Sequence, residues 1–275
     1  MTLFERLLLP LADVSDARTT CRAIEPYLSE TTTLGVVHVT PDETASEEIF
    51  ETVREAFPDH TIETDSRRGE DVTAEVASAV ESFDATAIGL VPRPKNIILS
   101  LLSRSATTRL IAGTDVPVVV FPEPDDSTPT RKHVHSVLVA LDDESQADET
   151  VEQACLLFPD ETLIVAFAPE SPPTDPYTSM TAGTSSAYER FSDRQQGIID
   201  QVFERAIEIG DDHGISVETA VLVDTDAAAA TTVAHTHGVS LVVVGHEDDD
   251  ERDRRVLGSL ATDLVRSSPI PVVIP

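Results

Sequence analysis

The stretch VLVALDDESQADETV, residues 137–151, consists of a continuous apolar run, a short acidic turn and a helical pattern. A similar arrangement, LLLPLADVSDARTTC, occupies residues 7–21. Apolar runs without polar alternation are typical of parallel strands that are covered on both faces. The two stretches therefore predict that the chain contains two copies of one unit.

A second repeat closes each copy, because VPVVVF at 116–121 resembles IPVVIP at 270–275. These segments are 154 positions apart, whereas the first pair is 130 apart, so the second copy contains an insertion. Residues 169–191, rich in Pro, Ser, Thr and Gly, fit that insertion and predict a long flexible loop. The predicted organisation is a first domain over 1–122, a polar linker over 123–133 and a second domain over 134–275.

Strands and helices alternate along each copy. In the second copy the pattern predicts strands near 136–141, 162–168, 216–223, 240–245 and 270–274. It predicts helices near 145–157, 188–213, 226–237 and 258–267. This order favours an α/β fold with two doubly wound, five-stranded parallel sheets. The last strand of each copy is short and apolar, and we expect these two edge strands to pair, forming a pseudo-dimer within one chain.

The charge is strongly acidic, with 50 Asp and Glu against 19 Lys and Arg and a formal net charge of −31. Such a surface disfavours nucleic acid and anionic membranes as partners. Acid spread along the chain, with little lysine, is typical of proteins from salt-loving archaea, whose molar salt screens charges beyond about 3 Å. An acidic regulatory protein of ordinary cytosol is the alternative.

Other features favour a soluble, cytoplasmic protein. No apolar run approaches a membrane-spanning length, and the N-terminus lacks the cationic segment of a signal peptide. The two cysteines, Cys21 and Cys155, lie in apolar helical patterns without metal or redox spacing, so we expect buried thiols.

Candidate ligand-binding residues follow the predicted strands of the second copy. Asp142 and Asp143 follow the first strand, Gly245 ends the fourth, and Gly258-Ser259 begins the last helix. A glycine at a strand end lets a ligand approach the backbone, and a helix N-terminus offers amides to an anion. Each feature has a simpler explanation: Gly-Ser starts many helices, and the aspartates either bind Mg²⁺ or cap the helix that follows them, with Ser145.

The whole arrangement resembles the universal stress protein family in tandem form. The resemblance implies the fold of that family and an ATP site in the second copy. It implies that Asp142 faces adenine or a metal ion and that Ala168 backs the base. It also implies that phosphates lie against the following residues: Gly245, Gly258, Ser259 and the amide of Leu260. His246, directly after the key glycine, would point into the same loop.

The chain departs from the family pattern at Asp248, where ATP-binding members have a second glycine. Asp248 lies in the acidic segment GHEDDDERDRR, residues 245–255, which in the family runs along ribose and phosphates. An aspartate there repels a triphosphate unless Mg²⁺ intervenes, and it occupies a position whose backbone suits glycine. Three arginines, Arg252, Arg254 and Arg255, provide the nearest compensating charge.

The first copy has lost most of this motif. Val91, Pro94 and Arg104 stand at its three glycine positions, and Ala12 replaces the aspartate after the first strand. Ser105 alone matches, opposite Ser259. We therefore expect the first copy to keep the fold without a nucleotide site.

The resemblance to the universal stress protein family, together with these features, implies a stress-response regulatory module that binds ATP, with Mg²⁺, in the second copy. The alternative is a structural or interaction scaffold in which neither copy binds nucleotide. No pattern places an acid–base pair together, so we expect no enzyme, or at most slow ATP hydrolysis. The expected partners are an adenine nucleotide, an unidentified protein and, for a homodimer, a second copy of the chain.

Overall fold

The computed structural model describes residues 3–40, 43–91, 114–124, 136–169, 184–222, 224–249 and 254–275. The first half contains β1 (Arg6–Pro10), α1 (Val14–Ile24), β2 (Thr33–Val39), α2 (Glu43–Ala56), β3 (Thr61–Arg67), α3 (Val72–Phe83), β4 (Ala87–Leu90) and β5 (Val118–Val120). A single 3-10 turn, Glu25–Tyr27, extends α1.

The second half follows the same order, and its described residues also contain two short strands and a further helix before the last strand. It contains β6 (Ser136–Leu141), α4 (Ala147–Leu157), β7 (Thr162–Phe167), α5 (Thr184–His213), β8 (Val217–Val221), α6 (Ala227–Thr236), β9 (Leu241–Val244), β10 (Glu247–Asp249), β11 (Arg254–Val256), α7 (Ser259–Ser267) and β12 (Val272–Ile274). A 3-10 turn, Glu144–Gln146, leads into α4. The strands and helices predicted for this half are therefore confirmed, with small differences at their ends.

Aspartates define where several helices begin. Asp13 accepts a hydrogen bond from the Asp16 amide at the start of α1, and Asp226 accepts one from the Ala229 amide at the start of α6. Asp71 accepts from two amides at the start of α3. A carboxylate there satisfies amides that have no partner within the helix and interacts favourably with the helix dipole.

Ten strands form one sheet in the order β3-β2-β1-β4-β5-β12-β9-β6-β7-β8. Neighbours within each half are parallel, and an antiparallel pairing of β5 with β12 joins the halves, with Val119 opposite Val273. The predicted α/β fold is confirmed, and so is the predicted pairing of the terminal strands. In each half the strand order reverses beside the first strand, which is where such sheets bind ligands.

Helices cover both faces of this sheet. On one face α1, α2, α4 and α5 pack over a single apolar cluster that includes Leu9 from the first half and Val139 from the second. On the other face α3, α6 and α7 pack over a second cluster that includes Leu8 and Leu138. Because both clusters run through both halves, the two halves share their hydrophobic core.

Two segments differ from the sequence predictions. The predicted loop over 169–191 is wrong at its end, because α5 already begins at Thr184. The last residues of that segment, 184–191, contain neither Gly nor Pro. They can therefore extend the helix toward its N-terminus, because adding residues to an existing helix costs less than starting one. The acidic segment after Gly245 was predicted as a loop but contains the antiparallel pair β10 and β11.

Both cysteines are buried and free, as the sequence predicts. Burial raises the pKa of Cys21 to about 12 and that of Cys155 to about 11, and the neighbouring Glu25 and Glu152 act in the same direction. Because the thiolate is the reactive form, these residues act as core side chains.

Candidate functional site

The candidate site lies at the carboxyl ends of β6 and β9, which are adjacent parallel strands with Ala140 opposite Val244. The chain leaves β6 toward α4 on one face of the sheet and leaves β9 toward α7 on the other. Helices that diverge to opposite faces leave a crevice between the strand ends. Asp142 is the first residue after β6 and Gly245 is the first residue after β9. They therefore lie beside each other at this crevice.

Asp142 contacts the beginning of α7. Its Oδ2 atom accepts a hydrogen bond from the Ser259 hydroxyl at 3.1 Å and another from the Leu260 amide at 3.2 Å. Ser259 is exposed and Leu260 is buried, while Asp142 is half-buried. The carboxylate thus uses two of the donors that the family resemblance assigned to phosphate.

Asp143, the next residue, has a local structural role. Its Oδ1 atom accepts a hydrogen bond from the Ser145 amide at 2.8 Å and so caps the 3-10 turn before α4. The sequence left two explanations for the aspartate pair, Mg²⁺ binding and helix capping. For Asp143 the hydrogen bond to Ser145 corresponds to capping. Among the described residues, no group of three or more His, Cys, Asp or Glu side chains is arranged to hold a metal ion.

Gly258 is the residue that precedes α7, and it has no side chain with which to cap the helix. Its φ of −63° and ψ of −179° are extended backbone angles that any residue adopts. Its carbonyl accepts the first helical hydrogen bond, from Thr262 at 3.0 Å. The Leu260 amide at this helix start therefore has the distant Asp142 as its partner.

Gly245 is required by packing. A Cβ atom at this position would lie 2.5 Å from the Thr150 hydroxyl and 3.2 Å from the Gln146 side-chain oxygen. Thr150 is itself buried, on the face of α4 that covers the sheet. The sequence marked Gly245 as a ligand-binding position but did not show that α4 approaches it, since Thr150 is remote in the chain.

Ala168 and His246 flank the same crevice. Ala168 follows β7, is 1% exposed, and donates its amide to the Leu141 carbonyl at 2.8 Å. It packs within the apolar cluster that also includes Leu260. His246 is half-buried directly after Gly245.

The acidic segment forms a ribbon in which acidic and basic residues are paired by register. Asp248 lies opposite Arg255 and Asp249 lies opposite Arg254. Directly opposed positions on antiparallel strands are neighbours in the sheet. Asp248 lies in extended backbone, a conformation open to any residue, which relieves the strain expected at this position. Arg252 is outside the described residues.

The equivalent position in the first half is built differently. Ala12 follows β1, and its amide donates to the buried carboxylate of Asp16 at 3.0 Å. Val91 is buried at the end of β4. The remaining positions of the degenerate motif, Pro94, Arg104 and Ser105, lie outside the described residues.

A buried polar chain beside Ala12 was not predicted from the sequence. His38, near the end of β2 and 5% exposed, shares a hydrogen bond of 3.0 Å with the Ser46 hydroxyl, which in turn lies 2.8 Å from the Ser66 hydroxyl. Burial lowers the pKa of His38, while a hydrogen bond to the Ala12 backbone and the nearby Asp13 carboxylate oppose that shift. The signal in the sequence is a lone histidine inside an otherwise apolar strand.

Comparison with known proteins identifies the family. The model of the universal stress protein family matches residues 133–274, which is more than half of the chain. The chain belongs to the universal stress protein family. No curated protein matches it in sequence.

Solved structures support the fold over nearly the whole chain. A universal stress protein from Archaeoglobus fulgidus DSM 4304 is 17% identical with a TM-score of 0.59, covering 99% of this chain and 97% of that one. A putative universal stress protein from Pseudomonas aeruginosa UCBPP-PA14 is 12% identical with a TM-score of 0.55, covering 98% and 92%.

The same fold occurs in another setting. The cytoplasmic domain of a prokaryotic cation chloride cotransporter is 12% identical with a TM-score of 0.53, covering 98% of this chain and 94% of that one. At these identities the likeness concerns fold alone, and a shared fold does not fix function. In the described ranges of the present chain, no helix has the length and apolarity to cross a bilayer.

Proposed function

We propose that this universal stress protein is a tandem member of the family, with domains over 1–122 and 134–275, that acts as a stress-response regulatory module and binds ATP in its second domain. The observation that carries the proposal is the convergence of Asp142, Gly245 and the start of α7 at the carboxyl ends of β6 and β9. This convergence lies within the half that the family model matches.

The residues at this edge of the sheet have the chemistry that a nucleotide needs. The Ser259 hydroxyl, the Leu260 amide and the backbone at Gly258 offer hydrogen-bond donors and a positive helix-dipole end to phosphate. Mg²⁺, held through the Asp142 carboxylate, would neutralise phosphate charge. The base would lie toward Ala168 and His246, and the ribose along the ribbon that contains Asp248.

The first domain then serves as a degenerate partner that completes the shared core. Nucleotide binding would change the segment between Gly245 and Gly258 and thereby the affinity for an unidentified protein partner. The proposed setting is the cytoplasm of an organism with high internal salt, and a homodimer is a further proposed state. We assign no enzymatic activity beyond, at most, slow ATP hydrolysis.

A second candidate function is an interaction scaffold without nucleotide. Two observations favour it: the Asp142 carboxylate already engages the donors of α7, and Ala168 is buried rather than open to a base. The net charge of −31 also opposes a triphosphate in dilute salt.

Calorimetric titration of Mg²⁺–ATP into the protein in molar KCl tests the proposal. We expect saturable binding of one nucleotide per chain. Gly258→Arg, which places at the start of α7 the residue that the first copy has at 104, should abolish that binding. Gly197→Arg is the matched control, because Gly197 is exposed on α5 and has open space where a side chain begins.

The outcomes separate the two candidate functions. Binding that is lost in Gly258→Arg and kept in Gly197→Arg supports a nucleotide site in the second domain. Absence of heat and of any thermal shift at millimolar ATP would leave the scaffold as the function. Equal loss in both variants would mean that added charge, rather than the position of Gly258, controls binding.

A further inference from the structure

Three polar side chains of the first half connect a buried imidazole to the molecular surface. His38 on β2 is 5% exposed and Ser46 on α2 is 1% exposed, whereas Ser66, on the edge strand β3, is exposed. The Ser46 hydroxyl oxygen lies 3.0 Å from His38 Nδ1 and 2.8 Å from the Ser66 hydroxyl oxygen. Both distances are those of hydrogen bonds, so a buried base reaches an accessible hydroxyl through one intermediate serine.

Sheet pairing and helix packing fix the positions of these three side chains. His38 and Ser66 are register partners on the parallel strands β2 and β3, and side chains at partnered positions point to the same face of a sheet. The helix α2 covers that face, with Ile49 packed in the same apolar cluster as Val36 of β2. Ser46, near the start of α2, is thereby held against the ends of both strands.

The single proton of a serine hydroxyl determines the direction of this hydrogen-bonded chain. When the imidazole proton is on Nε2, Nδ1 is the acceptor and takes the proton of Ser46. Ser46 can then only accept from Ser66, so both hydroxyl protons are directed toward the imidazole. Because burial lowers the pKa of His38, the ring is neutral and able to accept a proton at neutral pH.

The charged groups around His38 favour the product of proton transfer to its ring. The Asp13 carboxylate, at the start of α1, and the Ala12 backbone both favour the imidazolium, although burial has the larger effect. The buried Asp16 carboxylate is a further negative group beside Ala12, whose amide it binds at 3.0 Å. A proton that arrives at Nδ1 is therefore stabilised by nearby negative charge.

The charged side chains of α2 and β3 near these residues form ion pairs of their own. On α2, Glu47 and Arg54 are 3.0 Å apart. On β3, Asp65 and Arg67, which flank Ser66, are 2.6 Å apart, and they point to the opposite face because side chains alternate along a strand. Both ion pairs are thus separate from the hydrogen bonds that link Ser66 to His38.

We propose that Ser66 is a nucleophile, activated through Ser46 by His38 as the general base, that accepts an acyl group from a neutral ester. The Ser66 oxygen forms a bond to the acyl carbon, the ester C–O bond breaks, and the alcohol leaves as an oxyanion with the bonding electron pair. The Ser66 proton moves to Ser46 while the Ser46 proton moves to His38 Nδ1. The imidazolium then releases its proton to water, and no atom is oxidised or reduced.

The charge of the protein favours a neutral acyl donor over a phosphoryl donor. The formal net charge is −31, and β3 itself contributes Glu63 and Asp65 beside Ser66. An anionic phosphoryl donor would be repelled there, whereas a neutral ester is unaffected. The inference goes beyond the proposed function, because this site lies in the first half and involves no residue proposed to bind ATP.

Reaction of the full chain with para-nitrophenyl acetate in molar KCl tests this inference. Peptide mass spectrometry locates the acetyl group, and the release of nitrophenolate measures the rate. We expect acetylation of Ser66, which Ser66→Ala should abolish. Ser82→Ala is the matched control, because Ser82 is also an exposed serine, but its hydroxyl contacts the Arg67 guanidinium and the Ala79 carbonyl and no base. It should keep the wild-type rate at Ser66.

Separate variants test the two residues behind Ser66. Ser46→Ala interrupts the chain of hydrogen bonds and His38→Asn removes the base, so each should lower the acetylation rate of Ser66 by about 100-fold, as expected for loss of general-base catalysis. The pH profile of the wild type is an independent readout. Its rate should fall in acid as His38 becomes protonated and should level off near neutral pH, because the pKa of His38 is lowered from 6.5.

The outcomes support or overturn the inference without reference to ATP binding. Acetylation of Ser66 that is slowed in both Ser46→Ala and His38→Asn, with a level rate at neutral pH, supports it. An unchanged rate in Ser46→Ala would mean that Ser66 reacts as an ordinary hydroxyl, and a wild-type rate that keeps rising above neutral pH would mean the same. Acetylation only at other residues would leave the three side chains with a structural role. Each of these last three results overturns the inference.

Discussion

Gly245 illustrates how one residue can have two explanations that only contacts distinguish. In the sequence it marks a strand end where a ligand could approach the backbone. In the structure the space that a Cβ atom would need is taken by the Thr150 hydroxyl of α4. The glycine therefore permits close approach, as expected, but the nearest group is the protein's own helix. Asp142 likewise has two explanations, as a ligand-binding residue and as a helix cap, since its carboxylate caps α7 at the place proposed for phosphate.

His38 provides a prediction about pH. Because burial lowers its pKa in the folded state, the unfolded chain takes up this proton at a higher pH than the folded chain does. Stability is therefore unaffected well above the ordinary pKa of 6.5 and falls as the pH decreases through that value toward the lower folded pKa. One such proton contributes a slope of at most about 1.4 kcal/mol per pH unit.

Urea unfolding at a series of pH values measures this effect. His38→Asn, which retains a polar partner for Ser46, should have lower stability at neutral pH and a shallower decline between about pH 7 and 5. His213→Asn, on the exposed end of α5, serves as the control and should keep the wild-type slope. Parallel curves for the wild type and His38→Asn would show that His38 does not govern the decline.

The helix α5 contains glycines with opposite requirements. Gly197 is exposed and has no atom within 4 Å of the position where a Cβ would lie. Gly210 lies near the end of the helix, where a Cβ would meet a Val217 methyl group and approach the Ile215 carbonyl to 3.0 Å. Val217 is the first residue of the edge strand β8. Gly210 is therefore the position at which the end of α5 packs against the strand that follows it in the chain.

Replacement of each glycine by alanine should therefore have opposite effects. Gly197→Ala should raise the free energy of unfolding by about 0.5–1 kcal/mol, because alanine loses less backbone entropy in a helix. Gly210→Ala should lower it by about 1–3 kcal/mol through overpacking. Denaturant unfolding of the two variants provides the comparison. Similar changes in both would indicate that intrinsic helix propensity, and not packing against Val217, determines the result.

The two halves of the molecule are joined through the sheet and through both layers of the core. The β5–β12 pairing is central in the sheet, and each apolar cluster contains side chains from both halves. The formal net charge is −31, and the mutual repulsion of the acidic residues opposes the compact state. Salt reduces this repulsion over distances longer than the Debye length.

Thermal stability should consequently depend strongly on salt. We expect the melting temperature to rise steeply as KCl increases from about 0.05 M toward 1 M, over which the Debye length falls from more than 10 Å to about 3 Å. Choline chloride at equal ionic strength should act similarly at the low end of this range, because screening depends on ionic strength. A melting temperature that stays constant across this range would contradict a role for surface repulsion and for adaptation to high salt.

The alternation of strands and helices was predictable because it depends on local patterns. Apolar runs identified the buried strands, proline preceded the short terminal strands, and the repeat of 7–21 at 137–151 indicated two similar halves. The start of α5 and the β10–β11 ribbon were not predicted, because Ser- and Thr-rich or acidic segments carry weak propensities that neighbouring structure overrides.

Hydrophobic periodicity and repetition thus sufficed for the α/β class, the order of elements and the edge of the sheet where the candidate residues gather. These properties follow from burial requirements that every strand and helix expresses in its own residues. The partners of those residues were decided only in three dimensions. The contact of Asp142 with Ser259 and Leu260, and that of Thr150 with the space beside Gly245, join segments distant in sequence, and no local pattern encodes them. His38 and Ser46 are closer in sequence, but the polar chain that they form is completed by Ser66 on β3, which only the packing of the strands and α2 brings to them.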